Sequence, residues 1–159
     1  MYPQALSLIA QAAINIGQAD MATVQLASAG ALQLAATPGF GKAFQEFFAV
    51  VHARESACGA ALQTGQPVIV DDVRTSPHFL GKPSLGAMLD AGSLAVVSVP
   101  IVSRAGILLG MVSPHRRSIG RPAPDTLKQL SWLARQAGEL LEGTASQSTL
   151  RGLEVLARR

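Results

Sequence analysis

Residues 94–113 read LAVVSVPIVSRAGILLGMVS, and this stretch decides the fold. Two apolar, β-branched runs, 94–102 and 107–113, flank the residues SRAG at 103–106. A short polar segment that ends in glycine suits a four-residue connection between antiparallel strands. The stretch therefore predicts a β-hairpin at the centre of an antiparallel sheet.

Further strand signals lie upstream of this hairpin. Residues 21–27 and 31–36 are two strand-like runs joined by Ser28-Ala29-Gly30, and a third run, PVIVDDV, covers 67–73. A short connection with glycine predicts that the first two runs form another hairpin. In the first run Thr23 and Gln25 alternate with apolar neighbours, which predicts one apolar, buried face.

The other segments show apolar residues at helical spacing. The phenylalanines of residues 39–51 have this spacing, which favours a short helix that fills the space above the sheet over a cofactor-binding role. Residues 74–93 hold two prolines and three glycines, which predicts a loop with one small helix. The remaining predicted helices cover 3–17, with Gly17 as a left-handed cap, 55–64 before Gly65, 125–142 before Gly143, and part of 144–159.

This order of elements predicts an α+β fold with one antiparallel sheet of five or six strands. The first and last helices would share one face, and the middle helices and the loop would cover the other. Residues 1–143 would form one sensor-type domain, and 144–159 a C-terminal helical tail or linker.

Composition limits the class of partner. The 159 residues are 48% hydrophobic and 14% charged, so much of the surface is uncharged, as suits contact with another subunit. Residues 1–102 carry a net charge of −2 and residues 103–159 carry +5, which together give the total of +3. This basic end, together with an aromatic content of 4%, favours a partner-facing surface over nucleic-acid binding.

Cys58 is the one cysteine of the sequence, so it cannot form an internal disulfide or a cysteine-rich zinc site. A reducing compartment is the simpler interpretation. The sequence holds no run of 18 apolar residues, and its first residues lack the basic region of a secretory signal. We therefore expect a cytoplasmic protein without a membrane partner.

Few residues point to catalysis. The sequence contains no GxGxxG after a strand, no GxxxxGK[ST], no HExxH and no CxxC, and His52, His78 and His115 lie in separate segments. One of Asp71 and Asp72 should point inward, where capping of the next turn is favoured over a role as general base. For Cys58 a packed structural role is favoured over a reactive thiol, because no base lies near it in the sequence.

Four segments in combination resemble the GAF domains of bacterial sensor histidine kinases and related signalling proteins. They are GFGKAFQEFF at 39–48, ACGAALQTGQPVIVDDVRTSPHF at 57–79, MLDAGSLAVVSVPIVSRAGILLGMVSPH at 88–115, and LSWLARQAGELLE at 130–142. The resemblance implies a six-stranded, PAS-like sheet with a ligand pocket in front and the terminal helices behind. It also implies a non-catalytic regulatory sensor, often a homodimer through those helices, that acts in two-component or related signal transduction on an output protein.

The sequence departs from the GAF subclasses whose ligands or reactions are characteristic. Residues 74–93 contain His78 but neither the cysteine nor the DIP-type motif of bilin-binding GAF domains. The NKFDE motif of cyclic-nucleotide GAF domains is absent, and Cys58 alone is too few for a free methionine sulfoxide reductase, which uses several cysteines. The sequence therefore names no cofactor.

Three hypotheses follow. The first is a sensor for an unidentified small molecule, the second is an interaction or dimerisation module with a vestigial pocket, and the third is a redox enzyme that uses Cys58. For the sensor, the predicted ligand-binding residues lie at the loop and on the facing strands: Asp72, Phe79, Met88, Leu89, Ser98, Met111 and Ser113.

Overall fold

The computed structural model describes residues 2–158, and within them the chain forms six helices and six strands. The helices are α1 (Tyr2–Gly17), α2 (Lys42–Phe47), α3 (Ala57–Thr64), α4 (Pro83–Asp90), α5 (Pro124–Glu142) and α6 (Gln147–Ala157). The strands are β1 (Met21–Ser28), β2 (Ala31–Ala36), β3 (Val50–Val51), β4 (Val68–Val70), β5 (Ala95–Val102) and β6 (Leu108–Arg116).

Within the described residues the strands form one six-stranded sheet in the order β3-β2-β1-β6-β5-β4, and every neighbouring pair is antiparallel. Both predicted hairpins are present, so the predicted α+β fold is confirmed. Strand β6 continues past the predicted end at residue 113 to Arg116. Pro114 pairs with Ala22 inside the ladder, although proline is usually confined to sheet edges.

Each face of the sheet is covered by helices, as predicted. Helices α1, α5 and α6 form a helical layer on one face, where Ile9, Leu130 and Leu133 are buried against Val24 and Val112. We call α2, α3, α4 and the segments that join them the cover, because they lie over the other face. The cover buries Phe44, Phe79 and Met88 against the sheet residues Met21, Leu32, Val70, Val96 and Met111.

The short helix predicted within 39–51 is present as the six residues of α2, whereas strand β3, which follows the cap at Phe48 and pairs with β2, was not predicted. Phe40, Phe44 and Phe48 form one buried cluster above the sheet, as predicted, but Phe47 is 46% exposed. The left-handed cap at Gly17 was predicted wrongly. After α1 the left-handed residue is Gln18, with φ 49°, rather than Gly17.

Strand β1 has the predicted apolar, buried face, and its opposite face is buried as well. Thr23 and Gln25, on the face opposite Val24, are 4% and 1% exposed. The pairing of β1 with β2 shifts between Val24 and Gln25, because Val24 pairs with Ala36 and Gln25 with Leu34. Such a bulge leaves Ala35 as an extra residue on β2 and bends the ladder locally.

Helix α6 folds back onto α1. Leu153 is fully buried in the core of the helical layer, and Asn15 Nδ2 donates a hydrogen bond to the Leu156 carbonyl oxygen at 2.6 Å. Gly143, in the left-handed conformation, ends α5 and allows the chain to reverse. None of the helices in the described part of the chain combines the length and the apolar character needed to cross a bilayer.

Candidate functional site

A cavity lies between the sheet and the cover. Its volume of about 20 Å³ is enough for one water molecule. The residues that line it come from β1, β2, β5, β6 and the cover: Thr23, Gln25, Leu34, Phe44, Phe48, Ser56, Ala57, Cys58, Phe79, Met88, Val96, Ser98, Ser113 and His115.

Most of the residues on the sheet side of the cavity are polar, Leu34 and Val96 being the exceptions. Three strands contribute these polar residues, because β6 pairs with both β1 and β5 and alternate residues of each strand face the same way. Thr23 is opposite Ser113 in the ladder, and the hydroxyl groups of Ser113 and Ser98 are hydrogen-bonded at 2.9 Å. The serines satisfy each other, so their burial costs little.

Gln25 has one end of its carboxamide paired and the other unpaired. Its Nε2 donates to Cys58 Sγ at 3.5 Å, a weak hydrogen bond. Its Oε1 is buried and accepts no hydrogen bond from any of residues 2–158. A buried acceptor without a donor costs about 1–3 kcal/mol, so this atom favours any donor that reaches the cavity.

His115 lies on the sheet side of the cavity, near the end of β6. Its Nδ1 is hydrogen-bonded to Ser93 Oγ at 2.8 Å, and its ring stands edge-on to Phe40 at a centroid distance of 4.9 Å. Burial lowers the pKa of His115 to about 3, because the apolar surroundings disfavour the charged imidazolium. The side chain is therefore neutral at physiological pH.

Cys58 lies in the first turn of α3. Ser56 caps this helix by accepting a hydrogen bond from the Gly59 backbone N–H, and its Oγ lies 3.0 Å from Cys58 Sγ. Burial raises the pKa of the Cys58 thiol, and the hydrogen bonds from Ser56 and Gln25 offset only part of that effect. Because the thiolate is the nucleophilic form, this environment favours the predicted structural role.

The cover side of the cavity is largely apolar, apart from Ser56 and Cys58. Phe44 and Phe48 reach it from α2 and its C-terminal cap, Phe79 from the loop before α4, and Met88 from α4. Two hydrogen bonds join the start of α4 to the segment before α3. Ser84 Oγ donates to the Glu55 carbonyl oxygen at 2.5 Å, and Lys82 Nζ donates to the Arg54 carbonyl oxygen.

The structure brings four of the seven predicted ligand-binding residues, Phe79, Met88, Ser98 and Ser113, to the cavity wall. It does not place the other three there. Met111 is fully buried on the same face of the sheet but outside the lining, and Leu89 is 40% exposed on the outer side of α4. Neighbouring helical residues point in different directions, so Met88 and Leu89 could not both face inward.

Asp72 lies outside the cavity as well. Strand β4 ends at Val70, so the strand alternation that predicted an inward carboxylate no longer applies at Asp71 or Asp72. Asp72 Oδ1 accepts a hydrogen bond from the Arg74 backbone N–H, and both carboxylate oxygens accept from the Arg74 guanidinium at 2.9 Å. This pair holds the pKa of Asp72 below its usual value, and it confirms that Asp72 caps the turn.

Sequence reasoning missed Thr23, Gln25, Ser56 and His115 as lining residues. For β1 a clue was present, since a sheet covered on both faces must also bury the polar side of its central strands. His115 was missed because the predicted strand stopped before Pro114. No three His, Cys, Asp or Glu side chains within residues 2–158 form a group that could hold a metal ion.

Solved structures with the same fold come from several kinds of protein. A domain from a Sinorhizobium meliloti protein described as a two-component sensor histidine kinase is 18% identical, with a TM-score of 0.75, over 95% of this chain and 97% of that one. The GAF domain of a phosphoenolpyruvate-protein phosphotransferase from Coxiella burnetii is 20% identical, with a TM-score of 0.73, over 89% and 82%.

A type II free methionine-R-sulfoxide reductase from Thermoplasma acidophilum is 17% identical, with a TM-score of 0.68, over 89% of this chain and 95% of that one. These identities establish a shared fold. A search of curated protein sequences finds no significant match. The family model described as "GAF domain" matches residues 2–142, nearly the whole chain, as the sequence resemblance implied, and the chain therefore belongs to the GAF domain family.

Proposed function

We propose that this GAF domain is a non-catalytic regulatory sensor, which binds a small molecule in the cavity and passes its occupancy to the helical layer. The observation that carries the proposal is the buried Gln25, whose Oε1 lacks a hydrogen-bond donor among residues 2–158 at the wall of the cavity. A ligand that favours one packing of the cover over another would shift the population of the two states.

A regulatory role is supported over catalysis by the chemistry of Cys58. The fold is shared with free methionine-R-sulfoxide reductases, but this sequence holds a single cysteine, and burial raises the pKa of its thiol. His115, the other titratable residue of the lining, is hydrogen-bonded to Ser93 and stays neutral. Neither group is poised as a nucleophile or as a base near neutral pH.

The cavity assignment is tested by filling it. Ala57 lines the cavity and is 2% exposed, whereas Ala60 lies on the same helix outside the lining. In a thermal-shift screen of small metabolites, compounds that raise the Tm of the native chain should lose this effect in Ala57→Leu and keep it in Ala60→Leu. Ser98→Thr, which adds one methyl group at the opposite wall, should also weaken the effect if Ala57→Leu does not fold.

The assignment of the ligand to the cavity would be contradicted by compounds that raise the Tm of the native chain, Ala57→Leu and Ser98→Thr by the same amount. Such compounds would bind elsewhere. The absence of any stabilising compound would favour the second candidate function.

That second function is a dimerisation module with a vestigial cavity, and the small volume of about 20 Å³ favours it. Its surface would be the helical layer, where Trp132 on α5 is 37% exposed and Val155 on α6 is 54% exposed. We expect a concentration-dependent dimer in sedimentation velocity, weakened by Trp132→Gln and unaffected by Ile107→Gln at the far β5–β6 turn. A monomer at micromolar concentration would contradict dimerisation.

A further inference from the structure

The lining of the cavity specifies the chemical class of its ligand, and this inference rests on the proposed function. The polar groups of the wall are largely satisfied by one another. Ser98 pairs with Ser113, Ser56 with Cys58, and His115 with Ser93. Gln25 Oε1 differs, because it is a buried acceptor that no described residue reaches.

The wall offers no formal charge to a ligand. None of the described residues that line the cavity is Asp, Glu, Lys or Arg. Burial keeps His115 neutral and raises the pKa of the Cys58 thiol, so both lining residues that can titrate are uncharged near pH 7. A carboxylate, phosphate or ammonium group would lose its hydration without gaining a counter-charge, which is strongly unfavourable.

The unpaired acceptor and the largest apolar side chains of the cavity lie on different sides. Gln25 lies on the sheet side, whereas Phe79 and Met88 lie on the cover side, where Ser56 and Cys58 are hydrogen-bonded to each other. A matching molecule has one polar edge and one apolar face. Because the cavity holds about 20 Å³, anything larger than water enters only when the cover moves away from the sheet.

We propose that this cavity takes a small, uncharged molecule whose N–H or O–H group donates to Gln25 Oε1 while its apolar part packs against Phe79 and Met88. Primary amides and alcohols belong to this class. Nucleotides, carboxylates and zwitterionic amino acids do not.

Matched pairs of probes test the class. Benzamide, benzoate and N,N-dimethylbenzamide are similar in shape, but benzoate carries a charge and the dimethyl amide lacks an N–H donor; acetamide and acetate form a smaller pair. Each is titrated into the ¹⁵N-labelled native chain, and the amide shifts of the lining residues are followed. We expect benzamide or acetamide to bind at least tenfold more tightly than the matched acid, and benzamide at least tenfold more tightly than its dimethyl derivative.

A substitution at Gln25 then locates the contact. Gln25→Met keeps the length of the side chain and removes the acceptor. The preference for benzamide over N,N-dimethylbenzamide should therefore fall about tenfold, the worth of one hydrogen bond. Gln33→Met, at an exposed position of β2, is the matched control and should leave the preference unchanged. Since an apolar replacement removes an unsatisfied group, Gln25→Met should fold.

The outcomes separate this inference from the proposed function. If benzoate or acetate shifts the lining residues as strongly as its amide, the ligand class is wrong and the sensor proposal stands. If no probe shifts them, the ligand class is wrong, and the thermal-shift comparison of the native chain with Ala57→Leu decides the sensor proposal.

Discussion

Lowering the pH from 7 to 4 is expected to reduce the free energy of unfolding by about 3 kcal/mol more in the native chain than in His115→Gln. The pKa of His115 is about 3 in the folded chain and about 6.5 when unfolded. Between these values the unfolded chain binds a proton that the folded chain does not. Stability from this residue is therefore fully present above pH 6.5 and is lost as the pH falls toward 3.

Urea unfolding of both proteins at a series of pH values measures this effect. All other side chains are common to both proteins, so the difference between the two curves isolates His115. Gln25→Met, which lines the same cavity but does not titrate, should follow the native pH profile. Parallel curves for the native chain and His115→Gln would mean that the imidazole is accessible to water, contrary to its 5% exposure.

Gly110→Ala is expected to lower the free energy of unfolding by about 3 kcal/mol, at the upper end of the usual cost of overpacking. Gly110 lies in β6, paired with Leu26 of β1 on one side and Ile101 of β5 on the other. A Cβ atom there would overlap the Gln25 carbonyl oxygen and crowd the Leu26 Cα atom at 3.4 Å. Backbone atoms cannot rotate away as a side chain can, so the strands would have to separate.

The matched control is Gly86→Ala in α4, where an added Cβ atom meets nothing within 4 Å. Alanine is favoured over glycine inside helices, so this change should raise the stability by up to about 1 kcal/mol. Chemical denaturation of both variants provides the comparison. Equal stabilities for Gly110→Ala and the native chain would contradict the close approach of β1 and β6.

The sequence predicted the layers of the fold because apolar periodicity is a local property. Residues 94–113 form two apolar, β-branched runs around a polar turn, as a buried hairpin does, and the segment before Gly143 has one apolar helical face. Strand β3 was not predictable in this way, since two residues carry no period. Its pairing with Leu32 and Gln33 depends on where the turn after Phe48 brings the chain.

The cavity was predicted less completely, because its lining depends on which face of each strand the cover meets. Ser98 and Ser113 were found by parity within a well-defined hairpin. For Gln25 the alternation along β1 predicted one apolar, buried face and did not assign the face that carries Gln25. Gln25 is buried because the cover lies over this face of the sheet. A single sequence does not distinguish a buried polar face from a solvent-exposed one.

The bulge beside Val24 and Gln25 lies at one of the places where neighbouring residues of a strand face the two opposite layers of the domain. Val24 packs in the helical layer and Gln25 lines the cavity, so one peptide bond connects them. Toward β6 the pairing of both residues is regular, and toward β2 the ladder is interrupted only by the extra residue Ala35. A displacement of Gln25 by an occupant of the cavity would therefore be felt at Val24, and with it in the helical layer, within one residue of the same strand.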